Sequence, residues 1–197
     1  GKHVNITFKP APADTGLVFV RDDVDGDNLI NAHIKYISNT DRGTNLDNGL
    51  FRIHTSEHVL AAITGLDIDN CFICLDGPEV PIMDGSSKFF INALEQAKIV
   101  EQNVLREEFF PSEPISYLCE DTGSKISILP DDNYRVNTLV DYKTRVLGEQ
   151  EASINHISEF KKEISSARTF SFLHELETLL ENGLIKGGDL NLSLIHI

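Results

Sequence analysis

Tryptophan is absent, methionine occurs once, cysteine three times, and Lys and Arg together number only 17 against 31 Asp and Glu in 197 residues. Each shortage excludes something. The formal net charge of −14 leaves no basic stripe with which to displace counterions from a phosphate backbone, so nucleic acid is excluded as a partner. Three cysteines in an acidic chain of this size argue against a disulfide framework and for a reducing compartment. No apolar run approaches the ~20 residues needed to cross a bilayer, and no charged start precedes a greasy stretch, so the expectation is a soluble, cytoplasmic protein without a membrane span. The chain opens on Gly1 and its one methionine is Met83, so the natural start is expected to lie upstream. With 41% apolar residues it can bury one good core or two modest ones.

The hydrophobic pattern predicts an α+β chain. Val4 to Phe8 and Gly16 to Val20 read as strands around the break Pro10-Ala11-Pro12, the start of an antiparallel meander. Val59, Leu60, Ile63 and Leu66 then fall on one helical face, with Thr55 or Ser56 as cap and Gly65 near the end. A strand follows at Asn70 to Leu75. Its Cys71 and Cys74 form a C-x-x-C with no second pair downstream to complete a zinc site, which predicts buried strand cysteines. Asp84 or Ser86 is placed to cap a second helix with the stripe Phe89, Phe90, Ala93, Leu94 and Ala97.

The charged, proline-ending segment after Glu101 reads as a link. We therefore expect domains at 1–104 and 113–191 joined by 105–112. The second part repeats the order, with strands at Ile115 to Cys119, Lys125 to Leu129 and Tyr134 to Val140, then helical patterns at about Ser158 to Ser166 and Phe172 to Glu181. The shared strands-then-helices layout predicts an internal structural duplication.

Chemistry concentrates in Arg52-Ile53-His54-Thr55-Ser56-Glu57-His58, which holds two imidazoles and a carboxylate at a strand-to-helix junction. Imidazole is a good zinc ligand, and a neighbouring carboxylate can take a proton from metal-bound water. Read literally, His54-x-x-Glu57-His58 matches the inverted zinc-protease signature. A helix capped at Thr55 or Ser56 would instead leave His54 on the preceding strand.

Taken in order, Arg42-Gly43-Thr44, Thr55-Ser56-Glu57-His58, Gly65-Leu66-x-Ile68-Asp69-Asn70, the run Glu79 to Ser86, Ala167-Arg168-Thr169-Phe170 and Gly187-Gly188 resemble the bacterial UDP-3-O-acyl-N-acetylglucosamine deacetylases. The resemblance runs from Gly1 to about Asn191. It implies two similar domains, each a mainly antiparallel sheet with two helices and the helices packed between the sheets, the second domain being incomplete. It further implies Zn2+ as cofactor, Glu57 as general base, His58 as one of three zinc ligands and Thr169 as hydroxyl donor to the oxyanion. Phe170 and Phe172 would line the route to an acyl-chain passage, Arg168 would be a scaffold residue, and Asp84 would organise its turn. The substrate implied is a UDP-linked acylated glucosamine, hydrolysed at its 2-acetamido group in the committed step of lipid A synthesis. The net charge does not by itself suit a UDP-sugar, so cationic groups must be local.

The family's later His-Lys-x-x-Asp-x-x-Gly-Asp segment, which supplies the other zinc ligands, and a further histidine acting as general acid have no counterpart here. The fragment is therefore expected to be inactive and its parent active. The tail 192–197 resembles translated library-adapter sequence, and the stretch Leu184 to Leu190 is similar to forms fused to a beta-hydroxyacyl dehydratase. A zinc peptidase built on His54 and a non-enzymatic binding module are the alternative functions. Acyl-chain length and oligomeric state are not encoded in any recognisable pattern.

Overall fold

In a computed structural model of the chain, residues 3–41, 43–172 and 194–195 are described. Their elements form two compact units, one of residues 1–102 with the chain from Ser158 onward, the other of residues 103–157.

The first unit is built on a four-stranded sheet in the order β1 (Ile6–Pro10), β7 (Cys71–Leu75), β2 (Leu17–Arg21), β3 (Leu29–Asn31). The first expectation needs correction at this point: β1 and β2 are not hairpin neighbours. β7 lies between them, antiparallel to β1 and parallel to β2. The reason is apolar content. Only Cys71-Phe72-Ile73-Cys74-Leu75 is apolar throughout, as a central strand must be when both its faces are covered. Register then aligns Phe8, Ile73 and Phe19 in one row across the sheet, with Ile30 opposite Phe19.

Helices α1 (Glu57–Gly65) and α2 (Lys88–Gln96) add Val59, Ala62 and Ile63 and Phe90, Ile91 and Leu94 to the core, which Leu46, Phe51, Ile53 and Val80 join. Burying each of the larger side chains is worth roughly 1.5–3 kcal/mol before chain entropy is charged against it. The expected α2 stripe is rotated: Phe89 is 49% exposed and Ala93 and Ala97 face solvent, while Ile91 is buried. Residues 90, 91 and 94 subtend the arc that meets the core, and the alanines lie beside it.

A small sheet of β4 (Ile37–Asn39), β5 (Asn45–Asp47) and β6 (Arg52–Ile53) leads into α1 and buries Leu46 against Ile53. From the later chain, a single 3-10 turn and α3 (Phe160–Glu163) replace the longer helix expected at Ser158 to Ser166. Gly65 takes the Phe160 ring so closely that a Cβ would lie 2.1 Å from Cδ1. Lys161 Nζ pairs with Glu95 at 2.6 Å, and Ser87 N donates to Ser165 O at 3.1 Å. These contacts group Ser158 onward with the first unit, inside the stretch 113–191 that the sequence presents as one segment.

The second unit holds two hairpins, β8 (Ile115–Leu118) with β9 (Lys125–Ile128) and β10 (Val136–Asp141) with β11 (Glu149–Ile154). β11 is unannounced in the sequence because Glu149-Gln150-Glu151 lacks apolar alternation. Residues 98–114 are irregular and include the expected link. The architecture is α+β with mainly antiparallel sheets. The helical pattern expected at Phe172 to Glu181, Gly187-Gly188 and most of the tail 192–197 lie outside the described residues, although Leu194–Ile195 forms β13, parallel to β12 (Ser171–Phe172).

Candidate active site

The site is assembled at the β6–α1 junction. His54 closes a parallel bridge with Glu79, its N–H donating to Pro78 O at 2.8 Å and its carbonyl accepting from Val80 N at 3.0 Å. Thr55 then turns the chain through φ 59°, a left-handed conformation rare for a β-branched residue. Its hydroxyl donates to Glu79 Oε1 at 3.1 Å. Ser56 follows at the cap position, fully buried, but its hydroxyl makes no capping bond. Instead Ser56 N and Oγ both donate to Thr44 O, at 3.0 and 2.8 Å.

Glu57 opens α1, where a carboxylate also complements the helix N-terminus. Oε2 accepts from Thr44 N at 2.8 Å, and Oε1 lies 3.8 Å from His58 Nε2. The two side chains are 35% and 16% exposed respectively, reachable from solvent yet held by the fold. His54 is elsewhere in kind: it precedes the helix, on extended backbone, and its Nδ1 sits 3.1 Å from Asn45 Oδ1. The two histidines therefore do not share a helical face, which the inverted-protease signature requires.

The run Glu79 to Ser86 supports this junction. Asp84 Oδ1 accepts from Ser86 N at 3.0 Å and Ser86 Oγ at 2.6 Å, organising the turn as the sequence suggests. Gly85, at φ 81°, offers its carbonyl to Thr169 N at 2.8 Å, while Ser87 Oγ donates to His58 O at 3.0 Å. One turn thus bonds the main chains of both His58 and Thr169. Thr169 and Arg168 are exposed. Phe170 and Phe172 meet edge to face, ring centroids 5.3 Å apart at 86°.

Ser87 is a participant the sequence does not single out, and Thr44, Ser56 and Glu79, which the motifs contain, take part through contacts the sequence does not announce; the expected capping bond from Ser56 is not made. Their contacts with site residues bridge 12 to 29 positions, so no local spacing announces them. Cys71 and Cys74 are free and buried. Three residues apart on a strand, they project to opposite faces and form neither a bridge nor a metal pair. Burial pushes the Cys71 thiol up to about 11.

Zinc can be tested against this donor set. His58 suits one coordination position, with its acidic neighbour beside it, but among the described residues no group of three or more His, Cys, Asp or Glu side chains could hold a metal ion. A catalytic zinc site takes three protein ligands, and the described residues offer His58 as a candidate for one of them.

Comparison with known proteins decides the family. The family model described as UDP-3-O-acyl N-acetylglycosamine deacetylase matches residues 1–196. The chain belongs to this deacetylase family. It is 42% identical to the bifunctional enzyme LpxC/FabZ of Chlorobaculum tepidum, over 100% of the chain and 42% of that relative. It is 38% identical to the enzyme of the same description from Bacteroides thetaiotaomicron, over 99% of the chain and 42% of the relative. To the UDP-3-O-acyl-N-acetylglucosamine deacetylase of Acidithiobacillus ferrooxidans it is 37% identical, over 99% of the chain and 64% of the relative. The chain thus spans about two fifths of the bifunctional relatives and somewhat under two thirds of this deacetylase. No helix among the described residues is long and apolar enough to cross a membrane.

Proposed function

We propose that the full-length protein carrying this chain hydrolyses the 2-acetamido group of UDP-3-O-(3-hydroxyacyl)-N-acetylglucosamine, releasing acetate and a free amine, in the committed step of lipid A synthesis. The observation that carries the proposal is the Glu57–His58 pair, 3.8 Å apart at the start of α1, with one carboxylate oxygen fixed by the Thr44 N–H. Glu57 Oε1 takes a proton from the attacking water as its oxygen bonds to the acetyl carbon and the carbonyl π pair moves onto oxygen; collapse of this adduct re-forms C=O and breaks the C–N bond, the departing nitrogen taking up a proton. The Thr169 hydroxyl donates to the oxyanion that develops on the carbonyl oxygen. Phe170 and Phe172 present a right-angled pair of rings toward the acyl chain. His58 would be one ligand of a zinc ion, its remaining ligands and the group that protonates the leaving amine being sought outside the described residues. When bound, zinc would acidify a water and polarise the carbonyl.

Incubation of the full-length protein with zinc and the acylated UDP-sugar tests the reading. Acetate and free amine are expected to accumulate, and an untouched amide contradicts it. The isolated 197-residue chain is expected to release none, because among the described residues His58 alone is assigned as a ligand and one ligand does not hold zinc as three do. Turnover by that chain would contradict this expectation.

A further inference from the structure

Serine at the start of a helix ordinarily accepts a hydrogen bond from the N–H two or three residues on. Ser56 occupies that position and does not do so. Its hydroxyl and its N–H both donate backward to Thr44 O, twelve residues earlier, at 2.8 and 3.0 Å. With Ser56 fully buried, no water replaces the hydroxyl if it is lost. The geometry is reached through Thr55 at φ 59°, a strained conformation for a β-branched residue. The Glu79 carboxylate accepts from the Thr55 hydroxyl and helps hold it there. A forgone cap and a strained residue side by side are local rules broken together, which is where function is expected to be built.

What the arrangement achieves is visible one residue on. The Thr44 N–H, on the same residue whose carbonyl Ser56 grips, donates to Glu57 Oε2 at 2.8 Å. The neighbouring Gly43 passes so near the carboxylate that a Cβ there would lie 3.5 Å from Oε1 and 3.8 Å from Oε2. Residues 43–44 are a floor under the carboxylate, and Ser56 fastens the floor to the start of α1.

We propose that Ser56 is a positioning residue for Glu57. It clamps Thr44 so that the Thr44 N–H fixes Oε2 and directs Oε1 to the side of His58 Nε2, where the reacting water would sit. The inference rests on the reading of Glu57 as the base. The clamp sets an angle and a distance for proton transfer and touches no part of the substrate, so its loss slows the chemical step and spares binding.

The test uses the full-length enzyme loaded with zinc. Ser56→Ala is expected to lower kcat per mole of folded protein about ten-fold, with KM and bound zinc within two-fold of the parent. A kcat within two-fold of the parent overturns the clamp, as does a loss confined to KM. Glu57→Ala is the reference. If it loses its rate while Ser56→Ala does not, the clamp fails and the base stands. If Glu57→Ala itself keeps the parent rate, the base assignment fails. Amide exchange gives an independent reading that does not require the serine variant to fold. The Thr44 N–H is expected to exchange faster in Glu57→Ala than in the parent, and an unchanged rate overturns the clamp, since Oε2 would then not be held through Thr44.

Discussion

At the scale of single residues, the two histidines of the His54-x-x-Glu57-His58 run separate by backbone conformation. His54 lies on extended chain with its Nδ1 against Asn45, whereas His58 lies on α1 with Nε2 facing Glu57. His58→Ala is accordingly expected to strip zinc from the full-length protein, and His54→Ala to leave zinc content near that of the parent. Metal analysis of the purified variants checks this, and an emptied site in His54→Ala would restore the peptidase-like reading. The cysteines differ as clearly. Burial raises the thiols of Cys71 and Cys74, whereas the Thr122 hydroxyl and nearby N–H groups lower that of Cys119. Since the thiolate is the nucleophile, native protein at pH 7.5 is expected to take one alkyl group from iodoacetamide, on Cys119, and three once unfolded. Intact mass after labelling reads the number directly. Sequence reasoning reached Glu57, His58 and the burial of the C-x-x-C because local neighbours reveal those features. It missed Thr44 and Ser56 as partners because a backbone N–H carries no sequence signature.

At the scale of elements, α1 depends on a glycine whose reason is packing. The sequence places Gly65 at the end of the helix, and it does close α1, but the Phe160 ring occupies the space a side chain would need. Gly65→Ala gains helix propensity and must still displace that ring, so it is expected to destabilise by about 1–3 kcal/mol, measured as a lowered urea midpoint. Phe160→Ala in the same background should remove most of the clash, and additive losses would argue that the contact is not the cause. Strands with alternating or continuous apolar residues, and the helix from Glu57, were legible to within a residue or two. The order β1-β7-β2-β3 was not, because periodicity assigns a strand its faces and says nothing of its neighbours. β11 was missed for the opposite reason, since its polar residues form a ladder without burying a face.

At the scale of the whole molecule, charge and family point in different directions. A chain of net charge −14 repels an anionic ligand at a distance, so on the proposed function the UDP group would be bound by cations placed locally. Family membership was legible because its motifs are spread along the chain, and the Asp84 to Ser87 turn shows why they occur together: it bonds the backbones of His58 and Thr169. The pairing of Ser158 onward with the first unit could not be read from composition, because it depends on the Gly65–Phe160 and Ser87–Ser165 contacts.

The central claim is that Glu57 moves the proton while His58 holds the metal. Acetate release and bound zinc measured together on full-length Glu57→Ala test it most directly. The account predicts a rate lower by about 10²–10⁴-fold with zinc retained. An unchanged rate, or a variant that has lost its zinc along with its activity, would contradict it.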